Sequence, residues 1–164
     1  MEIQAQVDEV FSTVEVGEVV PHIAERIEPG AILYSSWGYE QTNVDYYLVT
    51  RVTKASCWIV PMRHVEVPSA GYSPMSGHTT PLEPMSDTGY CECRHRLWQH
   101  SEYGCSGAPQ YDEDCACTEA RPVPIKPAMH RIRRGWQGSE CLTLTSYRSA
   151  YLWDGRALYA SHYA

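Results

Sequence analysis

Between residues 31 and 67 the sequence spells three β-strands joined by connections too short to hold a helix. Ala31 to Tyr39 reads as the first. Glu40 to Asn43 is polar and turn-like. In the second, Val44, Tyr46, Leu48, Thr50 and Val52 alternate with Asp45, Tyr47, Val49, Arg51 and Thr53, one set on each face. Lys54, Ala55 and Ser56 make a turn, and Cys57 to Val67 is the third strand. Consecutive strands with such short connections run antiparallel, which predicts a meander. Pro61 lacks a backbone N–H, which places the third strand at an edge or a bulge.

The same periodicity returns near His130. Ile132 alternates with Arg131 and Arg133, and Glu140 to Tyr147 reads as a strand with Leu142 and Leu144 facing one way. Tyr151 to Trp153, the pair Asp154 and Gly155, then Arg156 to Tyr159 read as a hairpin, because Asp-Gly suits a two-residue turn with φ > 0 at both positions. About five to seven short strands of this kind predict a mainly β fold, a small barrel or bent antiparallel sheet, SH3-like or similar. Residues 1–20 mix a helical stripe (Val7, Val10, Phe11, Val14) with strand-forming Val16, Val19 and Val20. Pro21 opens a short helix with Ile23 and Ile27 on one face, ended by Glu28, Pro29 and Gly30.

From Pro68 to Pro127 the periodicity is lost. Eight of the eleven prolines and five of the seven cysteines fall there. The chain therefore divides into an N-terminal segment and meander (1–67), a Cys-rich irregular insertion of the same domain (68–127) and closing hairpins (128–164). An unsupported loop of that length is uncommon in a compact domain, so something must hold it. Cys91 and Cys93, then Cys115 and Cys117, form two C-x-C pairs, and four thiolates satisfy tetrahedral zinc. The expectation is one structural zinc on Cys91, Cys93, Cys115 and Cys117. The alternatives are disulfides, one cysteine then being left over from an odd count, and free thiols. Cys57 and Cys141 lie inside strand patterns and read as core residues.

Charge is unevenly spread. Residues 1–120 carry eighteen acids against six bases, whereas 121–164 carry seven bases against two acids, within a net charge of −7. An acidic whole disfavours non-specific nucleic-acid binding, while the basic tail forms a local anion-binding patch. No apolar run reaches the length of a membrane span. The first ten residues carry Glu2, Asp8 and Glu9 without a basic residue, unlike a signal peptide, so the expected location is the cytoplasm.

Phosphate-loop, dinucleotide, zincin and nucleophile-elbow motifs are absent from the sequence. Two other stretches carry polar and aromatic groups together. In the first, Trp37 and Tyr39 offer stacking surfaces beside Gln41, Thr42, Asn43 and Asp45 as hydrogen-bonding groups, a ligand-facing loop. The bland alternative is a turn fixed by its own Asn and Thr side chains. In the second, Arg131, Arg133 and Arg134 precede Trp136, a mix suited to phosphate and base contacts or, more simply, to a solvated edge strand. Cys57 and His64 fall on opposite faces of one strand, which argues against a nucleophile–base pair.

The blocks P-G-A-I-L-Y-S-S-W-G-Y-E-Q-T-N-V-D-Y-Y (Pro29 to Tyr47) and S-Y-R-S-A-Y-L-W-D-G-R (Ser146 to Arg156) resemble motifs of small uncharacterised proteins of phages, plasmids and actinobacteria. The resemblance covers about 30 residues and implies a mobile-element or phage accessory role; it carries no catalytic residue and does not extend to the insertion.

The leading expectation is a non-enzymatic, zinc-stabilised binding module for a host protein or a nucleic acid. The alternatives are an inhibitor of host defence that uses its acidic part on a basic site, and an enzyme on a small molecule or nucleotide with Asn43, Asp45 and Tyr47 in its pocket.

Overall fold

A computed structural model describes residues 23–67, 76–92, 96–97, 100–101, 104–105, 120–135 and 138–161. These residues are almost entirely β, with no α-helix among them. The chain divides into two compact units, residues 1–84 with 127–164, and residues 85–126.

The first unit is built on the meander. β1 (Ile32–Trp37), β2 (Asn43–Val52) and β3 (Ser56–Val67) pair antiparallel in order, and β1 also pairs β11 (Ser149–Leu152). β11 pairs β10 (Glu140–Thr143), which pairs β9 (Ala128–Arg134), and β9 returns to β3. These six strands close a barrel, which removes their free edges. β4 (Ser76–Pro84) pairs the far half of β3, and β12 (Leu158–Ser161) pairs β4.

The barrel interior holds Leu33, Val49, Cys57, Ile59, Leu142 and Ala150, with Tyr47, Val52, Ile132 and Leu144 packed against them. Each such Leu or Ile contributes about 2 kcal/mol of burial. A second cluster, Val44, Tyr46, Met62, Trp153 and Ala160, lies on the other side of β2. Alternation along β2 thus feeds two cores instead of one core and solvent. Thr79 of β4 is fully buried and takes the Tyr46 hydroxyl on its carbonyl at 2.7 Å.

Four expectations change. A register shift between Val49 and Arg51 inserts a residue into β2, so Val52 joins Val49 on the interior cluster rather than Tyr46 and Leu48. β3 is no edge strand, while the other alternative, an irregularity near Pro61, is met by the register shift against β4 between Met62 and His64. Pro61 falls where its second neighbour changes, β9 along Ser56–Ile59 and β4 from Met62 onward, so its missing N–H breaks no continuous ladder. The Asp154–Gly155 turn forms, with Gly155 at φ 86° and Asp154 Oδ1 accepting the Arg156 N–H at 3.0 Å, but β11 and β12 do not pair. Trp153 is buried edge-to-face on Tyr46, and the chain beyond it crosses to β4. Residues 23–31 form no helix, because their backbone is used elsewhere: Gly30 N–H donates to Val49 O, and Ile27 N–H to the Glu140 carboxylate. Pro21 lies outside the described residues.

β4 falls within the stretch read as insertion. Pro81 and Pro84 hide its pattern, and pairing with β3 and β12 creates it.

In the second unit, β5 (Asp87–Cys91) pairs β8 (Pro122–Pro124), and β6 (His100–Ser101) pairs β7 (Gly104–Cys105). Arg96 lies over the Tyr90 ring at 4.2 Å.

Candidate functional site

Residues directly opposite one another in an antiparallel ladder project on the same side. One such row runs Arg133, Cys141, Tyr151, Tyr34 and Tyr46 across β9, β10, β11, β1 and β2. Its Tyr46 end is buried beneath β4 and β12, whereas Tyr151 is 49% exposed and Arg133 is exposed. The Tyr34 and Tyr151 rings stand 6.1 Å apart. Cys141, placed in the core by its strand pattern, is half-buried on this outer row, because the inward side chains here are Leu142 of β10 and Leu144 just after it.

A second row runs Arg51, Trp58 and Met129 across β2, β3 and β9, with the Arg51 guanidinium over the Trp58 ring at 4.7 Å. Ser56 stands opposite Arg131. Arg51 faces outward because of the β2 bulge. Met129, Arg131 and Arg133 alternate on the outer side of β9, while His130 and Ile132 turn inward. The basic face is the outer side of β9, where Arg131 and Arg133 lie between the Arg51–Trp58 pair of β2 and β3 on one side and, across Cys141 of β10, Tyr151 of β11 on the other; Tyr34 of β1 lies further round the closed barrel. The strand residues that adjoin this face, Ser56, Met129, Cys141, Thr143 and Ser149, include no acid; Glu66 projects to the same side of β3, at its far end beside β4.

Arg134 does not belong to it. By alternation it follows Ile132, and its Nε faces Glu140 Oε1 at 3.6 Å. Trp136 lies outside the described residues. Arg51, Trp58 and Tyr151 were not singled out from the sequence. Arg51 and Trp58 become neighbours through a hairpin register that the bulge sets.

The Trp37 to Asp45 loop forms one mouth of the barrel. Trp37 Nε1 donates to Asp45 Oδ2 at 2.8 Å, and Arg148 reaches the same oxygen. The Arg148 guanidinium also donates to the Tyr47 hydroxyl at 3.2 Å and lies 4.8 Å from the Trp37 ring centroid. Burial first, then the Asp45 charge, raises the Tyr47 phenol above its ordinary value, with Arg148 opposing. Gln41 donates to Asn43 Oδ1 at 3.1 Å, and the Thr42 backbone exchanges bonds with Ser161. Gly38, at φ 124°, is required: a Cβ there would meet Gln41 O at 2.0 Å. Of the six loop residues singled out from the sequence, Trp37, Gln41, Thr42, Asn43 and Asp45 thus make hydrogen bonds within the fold, and Tyr39 is fully exposed. Arg148 was missed, although it lies in the second motif block.

Cys57 is fully buried, and burial pushes its thiol up to about 11. His64 is exposed and packs near Tyr46, so the two make no catalytic pair. Of the four expected zinc ligands, Cys91 is described. Its buried Sγ accepts the Arg121 N–H at 3.1 Å. Cys93, Cys115 and Cys117 lie outside the described residues. No group of three or more metal-ligating side chains occurs among the described residues.

No helix among the described residues is long and apolar enough to cross a membrane. Comparison with known protein families, with curated proteins and with solved structures finds no match to this chain.

Proposed function

We propose that the barrel is a binding module for single-stranded nucleic acid, non-enzymatic and braced by zinc in its cysteine-rich unit. The observation that carries the reading is the outer side of β9, where Arg131 and Arg133 lie between the Arg51–Trp58 pair on one side and Tyr151, across β10, on the other. Arginines neutralise phosphates, and aromatic rings on a sheet take unstacked bases whatever their sequence. The acidic remainder of the chain confines binding to this face. The motif resemblance supplies the context, an accessory protein of a phage or mobile element acting in the host cytoplasm.

The test is fluorescence anisotropy of a short labelled single strand across a salt series. Replacing Arg131 and Arg133 together by Gln is expected to weaken binding and to lower the slope of log K on log salt by about 1.4, roughly 0.7 per lost phosphate contact. Unchanged affinity and slope refute the proposal. A second reading, a host protein engaged by the Trp37–Tyr39 corner, is favoured by the full exposure of Tyr39. It predicts that Tyr39→Ser abolishes capture of that partner and leaves nucleic-acid affinity intact.

A further inference from the structure

We infer that a cleft at the barrel end opposite Trp37 takes the terminal phosphate of a nucleic-acid strand, which makes the module an end-binder; the inference rests on the nucleic-acid reading above. The cleft holds about 330 Å³ between Arg26, Glu28, Lys54, Arg134 and Glu140, above Ile27, Val52 and Ile132. That floor belongs to the barrel core, so the cleft does not continue through the molecule. It receives the end of a strand rather than its middle.

Three cations face two acids, and both acids are engaged. Glu28 meets Arg26 at 3.2 Å. Glu140 is 18% exposed; one oxygen accepts the Ile27 N–H at 2.9 Å and the other faces Arg134 at 3.6 Å. Lys54 is exposed and has no ion-pair or hydrogen-bond partner among the described residues. The cleft thus carries an excess cation at its rim and, beneath it, the buried Ile27 with the half-buried Val52 and Ile132.

The rim is continuous with the basic face. Ile132 N–H donates to Ala55 O at 2.9 Å, which pins the Lys54 turn against β9 beside Arg131 and Arg133. A phosphodiester within a strand carries one negative charge, whereas a terminal phosphomonoester carries about −1.5 to −2 near neutral pH. Cations concentrated at the end of the binding face therefore favour the terminus, and the apolar floor accommodates the carbons of the last sugar.

The experiment compares three labelled single strands of one sequence, with a 5′-phosphate, a 3′-phosphate or hydroxyls at both ends. Their affinities are measured with the full chain, with Lys54→Gln and with the Arg131→Gln, Arg133→Gln variant. One phosphorylated strand is expected to bind the wild type roughly fivefold more tightly than the hydroxyl strand. Lys54→Gln, with an unchanged melting temperature, is expected to erase that preference and keep the affinity for the hydroxyl strand. Equal binding of all three strands by the wild type overturns the end site and leaves the face reading standing. A preference that survives in Lys54→Gln places the phosphate elsewhere and also overturns it. Failure of the wild type to bind any of the strands overturns both readings.

Discussion

Arg148 closes on the Asp45 carboxylate across 103 residues of chain, and its guanidinium also reaches the Tyr47 hydroxyl and the Trp37 ring. The pair ties the meander to the β10–β11 turn. It joins the two sequence blocks that carry the motif resemblance, which also meet where Leu33 of β1 stands opposite Leu152 of β11.

Arg148→Ala removes all three contacts of a mostly buried guanidinium and leaves Asp45 without its cation. The expected cost is about 2 kcal/mol, or on the order of 5 °C in Tm, because Asp45 is partly solvated and screens part of the loss. Urea unfolding of Arg148→Ala, Asp45→Asn and the double variant checks this. Losses smaller in sum than in sequence, so that the double variant costs less than the two singles together, are expected. Strict additivity contradicts the coupling.

Tyr46→Phe deletes the hydroxyl that donates to Thr79 O and lies 3.1 Å from its Oγ1, both within the buried layer between β2 and β4. A stability loss of about 1–2 kcal/mol is expected, since the Thr79 carbonyl is left buried without that donor. The same substitution should speed amide exchange along β4 and β12 more than along β10. Uniform exchange changes would show that the outer layer is not separable from the barrel.

The raised thiol of Cys57 links stability to alkaline pH. In the folded chain it stays neutral up to about 11, while in the unfolded chain it ionises near its ordinary 9. Its contribution is therefore complete below pH 9 and is lost as pH rises toward 11. The size is on the order of 2–3 kcal/mol. Burial also raises the Tyr46 phenol, which adds to the decline above pH 10. Unfolding free energies of wild type and Cys57→Ala across this range should converge as pH rises. Parallel curves would exclude Cys57 as the source.

Metal content of the purified full chain is expected to be about one zinc ion, removed by chelator with a fall in melting temperature. Cys115→Ser should give the same metal loss. Metal-free protein whose melt ignores chelator would leave the cysteines as thiols or disulfides.

The sequence by itself determined the β class, the three strands of the meander to within a residue or two, the inward pair Leu142 and Leu144, and the Asp154–Gly155 reversal. All of these rest on local signals, either side-chain alternation or turn chemistry, which act over a few residues. Tertiary structure decided which strands become neighbours. The Asp-Gly turn reverses the chain, yet burial of Trp153 on Tyr46 sends β12 to β4 rather than back to β11. One inserted residue in β2 turns Val52 inward and Arg51 out beside Trp58, and no composition or motif announces it. The basic face was half legible. Arg131 and Arg133 stand out by alternation, but their aromatic companions arrive from strands far away in sequence, and Arg134 leaves the set because a strand repeats every two residues. Pairing across a closed barrel is a long-range choice settled by which apolar faces are buried together, so it becomes visible only once the fold exists.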